Sequence, residues 1–121
     1  MKKILIAEDD ALLQSIILHK FIKEGFEAHA ASNGFEAEAE IRSWHPDIVL
    51  LDLIMPDEDG FGVLRVVRSE SGTADTRIVV LSNLGDEETK EKVKKFGVTD
   101  YFVKADMTPE EIVAKVRALI V

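Results

Sequence analysis

The chain has no cysteine. That excludes disulfides, a thiolate nucleophile and any cysteine-bound zinc or iron–sulfur centre, and it suits a reducing cytosol. Long apolar runs are missing too. The longest uninterrupted stretches of Ile, Leu and Val are Ile48–Leu51 and Ile78–Leu81, against the roughly 18–20 residues a membrane-spanning helix needs. Met1-Lys2-Lys3 resembles the basic start of an export signal, but the apolar stretch after it stops at Ala7 and meets Glu8-Asp9-Asp10, short of the about 7–15 apolar residues such a signal carries. Positive charge is scarce: 15 Lys+Arg stand against 23 Asp+Glu, a net charge of −8. An acidic surface repels phosphate backbones and anionic lipid, so neither nucleic acid nor a membrane is an expected partner. Only three prolines are present, and no repeat, low-complexity tract or linker interrupts the sequence. With 121 residues, 46% of them hydrophobic, the chain can bury one core without a staple, and residues 1–121 read as one cytoplasmic domain.

What is present is an alternation of short apolar runs with segments of helical period, the pattern of βα units around a mostly parallel sheet. Lys3–Ala7 reads as the first strand. A helix capped by Asp9 or Asp10 follows, with Leu12, Leu13, Ile16, Ile17 and Phe21 at three-to-four spacing and Gly25 as its stop. Phe26–Ala30 is a second, alternating strand. Ser32-Asn33-Gly34 turns the chain into a helix with Ala37, Ile41 and Trp44 inward, ended by Pro46. Asp47–Asp52 is the third strand, and Leu53–Gly60 holds too many breakers for regular structure. A helix over Phe61–Ser69 turns Leu64 and Val67 inward, Glu70–Thr76 is a polar loop, and Ile78–Ser82 is the fourth strand. The helix from Asp86 to Phe96 offers only Val93 and Phe96 as large apolar residues, so it should be weakly held. Tyr101–Lys104 is the fifth strand. Thr108-Pro109-Glu110-Glu111 is a capping box with proline at the first helical position, opening a last helix that buries Ile112, Val116, Leu119 and Ile120.

The first, third and fourth strands are apolar at successive positions, as central strands covered on both faces are; the alternating second and short fifth belong at the edges. Right-handed crossovers then give a doubly wound, flavodoxin-like α/β fold: a five-stranded parallel sheet in order 2-1-3-4-5 with five helices on both faces. Ligands in such a sheet bind beyond the carboxyl ends of strands one and three. Just past the strand ends stand Glu8, Asp9 and Asp10 after the first, Asp52 at the third, Ser82 at the fourth and Lys104 at the fifth. Clustered carboxylates repel one another by about 4 kcal/mol per pair at 4 Å with an effective dielectric near 20, so a cation is expected among them. Glu8, Asp9, Asp52 and Lys104 leave a charge of −2 for a divalent ion, and all-oxygen ligands with room for water and phosphate suit Mg²⁺ rather than zinc. The chemistry that fits is phosphoryl transfer to a carboxylate, which is ionised at neutral pH and needs no general base. Lys104 and the Ser82 hydroxyl would hold the phosphoryl oxygens.

Glu8-Asp9, Asp52-Leu53-Ile54-Met55-Pro56 with Gly60, Ser82, Tyr101 and Lys104, in this order and along the whole chain, resemble a bacterial two-component response regulator receiver domain of the single-domain, chemotaxis-regulator type. The resemblance implies that Asp52 is the phosphoacceptor, that Asp9 binds Mg²⁺ directly with Glu8 acting mainly through water, and that the Ile54 backbone carbonyl completes the ligands. It further implies a switch in which the Ser82 hydroxyl moves toward the phosphoryl group and the Tyr101 ring turns inward behind it, while Lys104 pairs with the phosphoryl group. The donor would be a histidine kinase or histidine phosphotransfer protein. The helix before the fifth strand, that strand and the last helix would be read by a downstream protein, with the domain a monomer or weak dimer and not itself an enzyme. Nothing after Val121 could read DNA, so for these 121 residues taken as the entire protein, output is expected through contacts of the domain itself.

Two positions depart from the family's pattern. Lys104-Ala105 stands where a Lys-Pro pair with a cis peptide is common; before a non-proline residue a cis bond costs about 2.5–4 kcal/mol, so either a trans bond with a rebuilt loop or a strained cis bond is expected. Asn83 occupies a phosphoryl-site position where the family often has a smaller residue, and its bulk is expected to slow access of a phosphodonor. Two other functions compete: a phosphorylation-independent binding module, against which the intact acid set and Lys104 argue, and an aspartyl-phosphate phosphatase, whose second Asp two residues after the nucleophile is here Ile54. A flavin site is excluded by the lack of a phosphate loop after the first strand. His19, His29 and His45 read as surface residues, Asp57-Glu58-Asp59 as a solvated loop, and Glu87–Lys95 as a solvated helix face with Glu88–Lys92 and Glu91–Lys95 pairs.

Overall fold

The computed structural model describes residues 2–120. Its five strands, β1 (Lys3–Ala7), β2 (Glu27–Ala31), β3 (Ile48–Leu51), β4 (Arg77–Ser82) and β5 (Asp100–Val103), form one parallel sheet in the order β2-β1-β3-β4-β5. The helices are α1 (Ala11–Lys23), α2 (Gly34–Trp44), α3 (Gly60–Ser69), α4 (Glu87–Lys94) and α5 (Pro109–Ile120), with a 3₁₀ turn at Lys104–Asp106. The sheet divides the core in two. On one face Leu5, Val49, Leu51, Ile78 and Val80 pack with Ala37 and Ile41 of α2, Val63, Leu64 and Val67 of α3 and Val93 of α4. On the other, Ile4, Ile6, Ile48, Leu50, Val79 and Leu81 meet Ile17 and Phe21 of α1 and Ile112, Val113 and Val116 of α5. A central strand covered on both sides needs apolar residues at every position, which is why β3 reads Ile-Val-Leu-Leu and buries all of them.

The caps act as their side chains dictate. Asp10 accepts from the amides of Leu12 and Leu13, and Asn33, Asp59 and Asp86 cap α2, α3 and α4. The capping box of α5 is reciprocal: Thr108 N–H donates to Glu111 Oε1 at 3.0 Å and Glu111 N–H to Thr108 Oγ1 at 3.2 Å.

Three local readings change. The inward stripe of α1 is Leu13, Ile17 and Phe21, whereas Leu12 and Ile16 face solvent, 72% and 36% exposed, because only one side of a helix can meet a sheet and the apolar period here runs wider than that side. On α4 the ion pairs are Glu87–Lys90 and Glu91–Lys94, three apart; Lys92 instead lies over the Phe61 ring, 4.3 Å from its centroid. Asp57-Glu58-Asp59 is not a free solvated loop either: Asp59 caps α3, and Glu58 is half-buried with an Oε2 that has no hydrogen-bond partner.

Candidate functional site

Strand register brings the acids together. Ala7 of β1 lies opposite Leu51 of β3, so the next residues, Glu8 and Asp52, leave the sheet side by side, and Asp52 N–H still donates to the Ala7 carbonyl at 3.0 Å. Ser82 is opposite Val103, which sets Lys104 one step beyond the Ser82 hydroxyl. Glu8, Asp9 and Asp52 each offer a carboxylate oxygen within 4.8 Å of the others. Glu8 and Asp52 are buried and Asp9 is exposed, so the cluster opens to solvent on the Asp9 side. The Lys104 ammonium bridges the two buried acids, 2.5 Å from Glu8 Oε1 and 2.7 Å from Asp52 Oδ2.

The electrostatics follow from this crowding. Burial raises the Glu8 pKa to about 7; Lys104 and the Asp10 amide oppose the shift, and the charge on Asp52 reinforces it. Burial works against the charge on Lys104 as well, but its hydrogen bonds to Asp52 and Glu8 outweigh that and raise its pKa. One positive charge thus faces two buried negative ones with a third acid at the rim, and the set is short of positive charge. Oxygen-only donors, one of them open to solvent, fit a hard divalent cation such as Mg²⁺.

The loop after Asp52 is held close by two glycines. A Cβ on Gly60 would come within 2.5 Å of the Asp52 carbonyl oxygen, and one on Gly34 would collide with the Glu58 backbone. Only glycine permits these approaches, and they fold residues 53–59 back so that the Ile54 amide donates to Asp52 Oδ1 at 3.1 Å. The Ile54 side chain stands 56% exposed beside the site. Ser82 is fully buried, and its hydroxyl accepts from the Leu84 amide at 3.3 Å. Tyr101, half-buried on β5, donates its hydroxyl to the Leu84 carbonyl, and burial raises its pKa. Asn83 turns its side-chain oxygen to the Ala105 amide, 3.1 Å away. No cis peptide occurs among the described residues, so the Lys104–Ala105 bond is trans and the chain turns directly into the 3₁₀ segment.

These features match a known family. A family model described as the response regulator receiver domain matches residues 4–117. The chain belongs to the response regulator receiver family. Among curated relatives, the probable transcriptional regulator ycf27 of Cyanophora paradoxa is 35% identical over 98% of this chain and 48% of its own length. The DNA-binding response regulator MtrA of Mycolicibacterium paratuberculosis is 36% identical over 97% of this chain and 50% of its own. This receiver chain therefore spans about half the length of the curated relatives it matches. Among solved structures, chemotaxis protein CheY4 of Vibrio cholerae is 28% identical with a TM-score of 0.90, covering 99% of both chains.

Sequence reasoning passed over one residue that shapes the receiver site, Gln14, and misread another, Glu58. Gln14 donates from its amide to the Glu8 carbonyl (2.7 Å), the Ala31 carbonyl (3.1 Å) and Ser32 Oγ (3.2 Å), pinning the loop that carries Glu8 and Asp9; a glutamine between inward Leu13 and Ile17 was the available signal. Glu58 lays its side chain over Gly62 and its backbone over Gly34, contacts between distant segments that no local pattern announces. His19, His29 and His45 are all exposed, as read; His29 stacks on Trp44 at 3.7 Å and bonds Glu40 at 3.0 Å.

Proposed function

We propose that this receiver is a phosphorylation-dependent signalling switch of the cytoplasm. Asp52 takes a phosphoryl group from a histidine kinase or histidine phosphotransfer protein and a downstream protein reads the result. The observation that carries the reading is the Asp52 carboxylate at a buried strand end, paired with Lys104 at 2.7 Å and flanked by Glu8 and Asp9. An Asp52 oxygen attacks phosphorus, the P–N bond to the donor imidazole breaks, and the imidazole leaves with that bond's electrons. Lys104 then has an oxygen of the dianionic phosphoryl group to meet in place of the carboxylate. Glu8, Asp9, Asp52 and the Ile54 carbonyl would hold Mg²⁺, which when bound neutralises charge on the carboxylates and the phosphoryl oxygens. The Ser82 hydroxyl, now bonded to the Leu84 amide, is the group free to turn toward the new oxygens, and Tyr101 follows through the same Leu84. Asn83 borders this movement.

The domain acts as a switch and not as an enzyme turning over a substrate. Ile54, where an aspartyl-phosphate phosphatase would carry its second Asp, is aliphatic and cannot transfer a proton. The reading face is α4, β5 and α5, and the domain is a monomer or weak dimer that contacts neither nucleic acid nor membrane; among the described residues no helix is long and apolar enough to cross a membrane. Intact mass after incubation with Mg²⁺ and acetyl phosphate tests this. A Mg²⁺-dependent phosphoryl adduct in the wild type, absent from Asp52→Asn, is expected. Continuous donor turnover by an unmodified protein would point to a phosphatase, and no reaction to a phosphorylation-independent module.

A further inference from the structure

Lys104 is a long side chain with many free rotamers, so its place between two acids depends on where its own backbone is held. That backbone begins a three-residue turn, Lys104–Asp106, whose preceding residue Val103 supplies no side-chain cap. The turn's internal closure is the Met107 amide on the Lys104 carbonyl at 3.2 Å. The first amides of any helical turn lack internal partners and need one from elsewhere. Here the Ala105 amide finds it in Asn83 Oδ1, from a loop 22 residues earlier. Two sequence choices make this bond possible together: residue 105 has an N–H to donate because it is not proline, and residue 83 has a side-chain acceptor long enough to reach it.

We propose that Asn83 is a positioning residue: its amide oxygen caps, from a distant loop, the turn that begins at Lys104 and thereby holds the Lys104 ammonium between Glu8 and Asp52 for phosphoryl transfer. This rests on the phosphoacceptor reading of Asp52. The tether also has a mechanical consequence. Asn83 sits between Ser82 and Leu84, and Leu84 receives the Tyr101 hydroxyl. The loop after β4 is therefore fastened to β5 at Tyr101 and to the following turn at Ala105, and a movement of Ser82 pulls on both.

The tether and the expected obstruction of the donor by Asn83 give opposite signs. If Asn83 positions Lys104, Asn83→Ala slows phosphorylation at saturating acetyl phosphate by about two- to ten-fold, the range of one net hydrogen bond, while the half-saturating donor concentration stays unchanged. The Ala105 amide exchanges faster by a similar factor, and the ¹⁵N-labelled Lys104 ammonium signal broadens as the amine leaves its two carboxylates. Asn83→Asp, which keeps an acceptor at the same place, restores the protection of Ala105. Faster phosphorylation of Asn83→Ala, or an Ala105 amide and Lys104 ammonium unchanged by it, would overturn the proposal. Should the wild type take up no phosphoryl group, the phosphoacceptor reading fails, and the Ala105 exchange and ammonium signal still decide whether the tether exists.

Discussion

Strand β3 is buried at every residue, whereas β5 is half-exposed at every residue, and the helices beside them repeat the contrast. Helix α3 buries Val63, Leu64 and Val67 along with Gly60 and Gly62, but α4 buries Val93 alone. Charge is uneven too, but it divides along the chain and not with burial. Residues 1–60 hold 5 Lys+Arg and 13 Asp+Glu, giving −8, while residues 61–121 hold 10 of each and balance. The acids that would meet a metal ion and a phosphoryl group stand just past the ends of the largely buried β1 and β3. Of the groups that would answer them, Ser82 ends buried β4, whereas Tyr101 lies on half-exposed β5 and Lys104 just past it. A site needs its reacting groups fixed, and a signal needs something nearby that can move; local stability follows buried apolar contact, so the two demands are met by covering β3 and α3 more fully than β5 and α4.

The largest test of this contrast compares the cores directly. Leu51→Ala in β3 is expected to lower global stability by about 2–5 kcal/mol and Val93→Ala in α4 by about 1–2 kcal/mol, both read by urea denaturation. In Val93→Ala the increase in amide exchange should be largest in α4. Equal losses would erase the distinction.

A second test concerns the strained acid. Glu8 titrates near 7 in the folded protein against an ordinary 4.5, so between those values the native state holds a proton that the unfolded chain has lost. The stability tied to that proton is complete below pH 4.5, declines as pH rises, and is gone above about 7. Without Mg²⁺, Glu8→Gln should therefore be more stable than the wild type near pH 8, by on the order of 2–3 kcal/mol, with the difference vanishing in acid. Thermal unfolding across that range, in chelator, gives the sign. A smaller effect is expected from Tyr101→Phe, which removes the bond to the Leu84 carbonyl: about 0.5–1.5 kcal/mol, with faster exchange at residues 84–87 and no change at β1 or β3.

Much of this was legible in the residues because it depends on short-range chemistry. Apolar runs marked the central strands, Asp10 and Asp86 read as helix caps, and carboxylates and Lys104 fell at strand ends, where the parallel topology brings them together. What stayed hidden depends on which distant segments touch. Leu12 and Ile16 continue the apolar period of α1 yet face solvent, since period does not state how wide the buried side is. The pairing on α4 runs three apart because Lys92 is drawn to Phe61 on another helix. Asn83 and Ala105 each stood out as departures from the family's pattern, but that the two are bonded to each other is a fact of loop packing and not of either position alone. Gln14 was passed over and Glu58 read as solvated for the same reason.

Amide hydrogen exchange of the wild type, with and without Mg²⁺ and acetyl phosphate, tests the division most directly. The predicted result is a change in protection concentrated in residues 82–87, α4 and 100–106, with β1 and β3 unaltered. A phosphorylated protein whose exchange changes evenly across all of these elements, or chiefly in β1 and β3, would contradict it.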